Sequence, residues 1–176
     1  DDKLIEMLGS SNRFQNIEVS DYLEIMDTKA EKQYASITIH LPHNIKYISF
    51  RGTDSTIVGW TEDFNMSFMN DLPSQKEGVA YLEMVATKYP FKKIRIGGHS
   101  KGGNVAIYSG INAEKKYKNR IISITNYDGP GFDKEIIENN DMQDKITTYI
   151  PEESVIGRLL TNSGKSITVL SNNKGS

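Results

Sequence analysis

The sequence predicts an α/β fold: a mostly parallel central sheet with an N-terminal antiparallel hairpin and helices on both faces. Three observations predict it. Residues 34–41 (YASITIHL) and 45–50 (IKYISF) are β-favouring runs separated only by Pro42-His43-Asn44, and so short a link joins antiparallel neighbours. Further along, strand-like runs alternate with stretches of helical spacing, which need crossovers and therefore parallel pairing. Thr53, Ser100 and Asp128 each fall just past a predicted strand, the edge where open parallel sheets form their ligand sites.

In the first run, Ile37, Ile39 and Leu41 alternate with more polar residues, the period of a strand. Residues 74–89 carry Val79, Leu82, Met84 and Val85 at helical spacing, and Pro90 ends that helix. Residues 93–96 read as a strand, 101–118 as a helix and 121–126 (IISITN) as a strand. A short helix around 134–139, a strand at 146–150, a helix at 153–160 and a strand near 166–170 complete the order.

The chain has 176 residues, 37% of them hydrophobic and 25% charged, with a net charge of −2. That length holds one domain with a sizeable core. The balance does not point to nucleic acid or to a polybasic membrane patch. Without cysteine, disulfides, thiolate metal sites and cysteine nucleophiles are excluded, and the composition suits a cytoplasmic chain. No apolar stretch approaches the roughly 20 residues of a membrane span. The first residues, DDKLIEMLGS, lack a start methionine and a signal-peptide pattern, and the last, SNNKGS, look like mid-loop. The expectation is a single domain over 1–176, incomplete at both ends.

Residues 97–103 read GGHSKGG directly after a predicted strand and before a predicted helix, and the inner five fit G-x-S-x-G. A serine at so sharp a turn needs glycine two places before and two after, where side chains would meet backbone; Gly98 and Gly102 stand there. The following helix N-terminus favours developing negative charge. The plainer alternative is a flexible turn. His99, inside the turn, is given no catalytic role. Two other matches fail: Gly164-Lys165-Ser166 lacks the phosphate-loop glycine at 159, which is Leu, and Ser171-x-x-Lys174 lacks its partner motifs.

Acyl transfer needs two donors to the oxyanion, and the backbone N–H of Lys101, next after the serine, supplies one. A serine hydroxyl also needs a base and an orienting carboxylate. Asp128, in Asn126-Tyr127-Asp128-Gly129-Pro130-Gly131-Phe132, stands at the end of the strand after the serine helix. The competing reading of Asp128 is a turn aspartate bonded to its own loop.

Phe50-Arg51-Gly52-Thr53 followed by DSTIVGWTEDF resembles the FRG-[ST] motif and W-x-x-D pattern of class 3 lipases, with Trp60 and Asp63 in the latter. The run from 34 to 160, with GHSKGG, NYDGPGF and PEESVIGRLL, is similar to a bacterial branch of α/β-hydrolases related to those lipases. The resemblance implies that Thr53 gives the second oxyanion donor. It also implies that residues 54–70 cover the pocket, with Trp60, Phe64, Met66, Phe68 and Met69 as an apolar face; an ordinary amphipathic connector is the alternative there. Arg51 is read as tying down loop backbone or a carboxylate. The segment at Asp128 resembles the D-P-x-x-P loop of pancreatic-type lipases, whereas alignment with the class 3 D-x-V-P segment makes Glu153 a second candidate acid. Glu153 also reads as a helix N-terminal carboxylate, and the two acids stay open.

In this fold the base follows the acid, yet the three histidines, His40, His43 and His99, all precede Ser100. The resemblance implies that the base lies just beyond residue 176. The expected function is therefore a serine hydrolase of carboxylic esters, acting on a small-molecule ester or lipid without metal or organic cofactor. A thioesterase or peptidase would use the same groups, and a non-catalytic binding module of the same fold is the alternative from another class.

Overall fold

A computed structural model describes residues 2–27, 29, 32–53, 71–137 and 140–170. Seven strands form one sheet in the order in which the chain makes them: β1 (Glu18–Asp27), β2 (Lys32–Leu41), β3 (Ile45–Phe50), β4 (Lys93–His99), β5 (Ile121–Tyr127), β6 (Ile146–Pro151) and β7 (Lys165–Val169). β1, β2 and β3 pair antiparallel, and β3 through β7 pair parallel. The described helices are α1 (Asp2–Ser10), α2 (Pro73–Lys88), α3 (Lys101–Asn112), α4 (Lys115–Lys118) and α5 (Lys134–Ile137).

The hairpin turn after β2 works because His43 and Asn44 accept positive φ, 59° and 65°, so three residues reverse the chain. Leu72 precedes α2, its N–H donating to Gln75 Oε1 at 2.9 Å, and Pro73 opens the helix where no N–H is needed.

The core lies between the sheet and α2 and α3. Ile48, Ile96 and Ile124 are neighbours in register on β3, β4 and β5 and are all fully buried. Burying one such side chain stabilises the fold by about 1.5–3 kcal/mol. α3 lies on this row: a Cβ on Gly110 would run into Ile124 and stand 3.3 Å from Ile96. α2 packs on α3 and on Phe50 through Gly78, where a Cβ would meet Val105 at 2.6 Å. A flat helix surface at both glycines brings the layers together.

The two long described helices, α2 and α3, pack side by side on one face of the sheet. Strands added in sequence order, each by a right-handed crossover, return their helices to the same side. The strands show it by alternation: Ile45, Tyr47 and Ser49 on β3 are half-buried, while Lys46, Ile48 and Phe50 are buried.

Two expectations of detail change. The helix expected over 101–118 breaks at Ala113, whose extended ψ of 153° ends α3 before α4 begins. The helix expected at 153–160 is a single 3-10 turn, Ile156–Arg158. β1 and α1 had no counterpart in the sequence reading. No described helix is long and apolar enough to cross a membrane.

Candidate active site

β4 ends at His99 and α3 begins at Lys101, which leaves one residue to turn the chain. Ser100 does so at φ 54° and ψ −128°, where residues with a side chain are rarely found. Its N–H donates to the Tyr127 carbonyl at 2.9 Å, and its own carbonyl accepts from the Gly103 N–H at 2.9 Å. The glycines are needed sterically. A Cβ at 98 would lie 2.6 Å from the carbonyl oxygens of Gly102 and Phe50, and one at 102 only 2.8 Å from the Phe50 carbonyl carbon. Ser100 is half-buried and immediately precedes the N-terminus of α3. The Lys101 side chain is 2% exposed and runs the other way, donating to Gln33 O at 2.8 Å and Gln33 Oε1 at 3.1 Å. The turn is thereby tied to β2.

The chain after β3 passes against this turn. A Cβ on Gly52 would stand 2.8 Å from the His99 carbonyl oxygen and 3.6 Å from the Ser100 Cβ. Thr53 follows immediately and is half-buried. The Arg51 N–H donates to Ala35 O at 2.9 Å and its guanidinium pairs with Glu24 at 2.8 Å, the carboxylate-tethering role expected of it. The covering segment 54–70, with Trp60 and Phe64, lies outside the described residues.

Asp128 occupies the matching position on the next strand, since His99 and Tyr127 are register partners and Ser100 and Asp128 follow them. It too has positive φ, 56°. Its N–H donates to Tyr149 O at 2.8 Å, and its Oδ1 accepts from the Ser154 hydroxyl and from the Gly157 N–H at 3.1 Å. The turn after β6 therefore holds one carboxylate oxygen. Glu153, one residue earlier in that turn, is exposed. The Gly157 N–H, spent on Asp128, is also why no regular helix forms there.

Sequence reasoning missed the residues that hold this edge together. Asn126 is fully buried and clamps the Asp128 loop, donating to Gly129 O at 3.1 Å and accepting from its N–H at 2.8 Å. Asn104, buried in α3, donates to the carbonyls of Pro130 and Gly131 at 3.1 Å and accepts from Gln75 Nε2 at 2.8 Å. A Cβ on Gly129 would lie 3.0 Å from the Asn104 N–H nitrogen, so this loop presses on the start of α3. Asn126, two places before an Asp-Gly turn, was the available signal.

The histidines sit elsewhere. His40 pairs in register with Lys46 near the start of β3, at the opposite edge of the sheet from Ser100. Its ring nitrogens meet Ser20 Oγ and Lys46 Nζ, each at 2.7 Å. His43 lies in the neighbouring turn and His99 is exposed. Among the described residues, no group of three or more His, Asp or Glu side chains could hold a metal ion.

A family model described as Mbeg1-like matches residues 8–176. No curated protein matches the sequence significantly. Among solved structures, a mutant form of MDLA from Penicillium cyclopium superposes with a TM-score of 0.68 at 15% identity, covering 96% of this chain and 70% of that one. The Lip2 lipase from Yarrowia lipolytica gives 0.60 at 15% identity, covering 89% and 66%, and lipase II from Rhizopus niveus gives 0.63 at 14%, covering 84% and 62%. The chain thus spans less than two thirds of the length of those two lipases. At such identities the likeness establishes the lipase-like α/β-hydrolase fold.

Proposed function

The chain belongs to the Mbeg1-like family, and we propose that it is a serine hydrolase of carboxylic esters with Ser100 as nucleophile. The observation that carries this reading is the single-residue turn at Ser100, with a strained backbone kept open by Gly98 and Gly102. Strain of about 1–3 kcal/mol persists where the surroundings enforce it, and functional sites are where such strain gathers. The turn supports the reading of this segment as a nucleophile elbow.

In the proposed reaction Ser100 Oγ attacks the acyl carbon, and the carbonyl oxygen takes up negative charge. The N–H of Lys101 at the helix start and the N–H of Thr53 donate to it. A histidine C-terminal to residue 176 takes the serine proton and passes it to the leaving alcohol; Asp128 orients that imidazole. Water then attacks the acyl-serine by the same route reversed. The Ser154 and Gly157 donors support Asp128 over Glu153, because an orienting carboxylate must itself be held. Trp60 and Phe64 are assigned to the acyl pocket, which fits an apolar acyl group.

The test is hydrolysis of a p-nitrophenyl ester series of increasing acyl length by the full-length protein. Turnover is expected, and Ser100→Ala lowers kcat about a thousandfold or more. Turnover that survives Ser100→Ala, or none with any ester, overturns the assignment.

A further inference from the structure

Seven of the 21 Lys and Arg residues lie in two six-residue stretches, 88–93 (KYPFKK) and 115–120 (KKYKNR), which contain no Asp or Glu. The net charge of −2 hides them. The fold brings the two stretches side by side at the start of β4 and β5: the Ile94 N–H donates to Arg120 O at 2.9 Å, and Arg120 Nε donates to Lys92 O at 2.9 Å. With its remaining donors on Ala86 O and Tyr89 O, the Arg120 guanidinium is the brace that joins the loops. Between them lies an open groove of about 440 Å³ lined mainly by apolar atoms; Lys92, Lys93 and Lys116 line it, and Lys116 also pairs with the exposed Glu114 at 2.8 Å.

Phe91 stands at its mouth, 94% exposed, the most exposed of the large apolar side chains among the described residues. Its φ of 65° fixes it at the tip of the turn between α2 and β4, with Lys92 and Lys93 directly behind. Phe91 extends the apolar lining of the groove into solvent, and a contiguous apolar patch rimmed by polar groups marks an interaction site. An aromatic tip backed by lysines on two rigid loops matches an anionic bilayer, whose interface takes the ring while its headgroups meet the ammonium groups.

We propose that this end of the molecule docks on anionic lipid membranes, Phe91 entering the interface and Lys92, Lys93, Lys115 and Lys116 contacting the headgroups. The surface is separate from Ser100: β4 runs from Lys93 to His99 between the two, which is about 20 Å. A docked molecule therefore turns the Ser100 edge away from the bilayer, toward the aqueous side. The overall balance of charge gave no sign of this in the sequence, since the two stretches are 21 residues apart and meet only through the fold.

The test is co-sedimentation of the purified full-length protein with phosphatidylcholine vesicles, with and without phosphatidylserine. Binding is expected only with phosphatidylserine and is lost in high salt, where the charges are screened. Each lysine near the surface contributes about fivefold in affinity, so the Lys92→Gln, Lys93→Gln double variant is expected to bind about 25-fold more weakly. Phe91→Ser weakens binding without changing its salt dependence. Thermal melting checks that both variants fold, and fluorophosphonate labelling of Ser100, unchanged in either, keeps this surface distinct from the hydrolase assignment. No binding to phosphatidylserine vesicles overturns the proposal, as does equal binding by the variants. Preference for an acidic, aromatic-containing peptide over the vesicles overturns it in favour of a protein partner.

Discussion

The Ser154 hydroxyl donates to Asp128 Oδ1, joining the turn after β6 to the end of β5. The segment that alignment with lipases offers as a source of the acid thus supports an acid on the neighbouring strand. A hydrogen bond to a charged group contributes about 1.5–3 kcal/mol. Ser154→Ala is expected to destabilise the fold by about 1.5–3 kcal/mol in urea unfolding and to lower kcat about tenfold at unchanged KM. Ser154→Thr, which keeps the hydroxyl, restores activity. A loss in KM alone would show that Ser154 does not act through Asp128.

Gly102 and Gly9 make a matched pair of tests. A Cβ at 102 meets the backbone of Phe50 and Arg51, which cannot swing aside, whereas one at 9 meets nothing within 4 Å. Gly102→Ala is expected to cost about 3 kcal/mol. Gly9→Ala, in α1, is expected to leave stability unchanged or raise it by up to about 1 kcal/mol. Equal effects in thermal melting would mean that the Ser100 turn is not close-packed on β3.

Asn126 gives a third prediction. Its removal leaves the N–H and carbonyl of Gly129 without their buried partner. Asn126→Ala should cost about 2–3 kcal/mol and slow acylation of Ser100, because Gly129 packs on the Ser100 carbonyl. Urea unfolding and the acylation rate measure the two effects separately.

At the far edge, Asp21 predicts a pH dependence. Burial alone would raise its carboxyl, but hydrogen bonds from Lys88, Ser20 and Tyr89 outweigh this and hold it below the usual value of 3.8. As pH falls, the unfolded chain takes up the proton first. The stabilisation is therefore complete above the unfolded value and is lost as pH drops through the lower folded one. Asp21→Asn should lose stability at neutral pH, and its gap from the parent should narrow in strong acid. A gap that stays constant with pH would place the effect elsewhere.

The parallel sheet and the Ser100 turn were legible because each rests on a local signal: alternating strands and helices for one, glycines at fixed offsets for the other. What stayed hidden depends on contacts distant in sequence. β1 is half exposed along its length and joins only by pairing with β2, so its apolar pattern is weak. The 3-10 turn at Ile156–Arg158 replaces a helix because Gly157 is engaged by Asp128, 29 residues away. Asn104 and Asn126 look like ordinary polar residues until the fold buries them against a loop. The basic face around Phe91 was hidden in the same way.

Intact-mass analysis after treatment with a fluorophosphonate probe tests the central claim most directly. One adduct is expected on the folded full-length protein and none on Ser100→Ala. An adduct that persists in Ser100→Ala would move the nucleophile elsewhere, and no adduct on the folded full-length protein would contradict an activated serine at this turn.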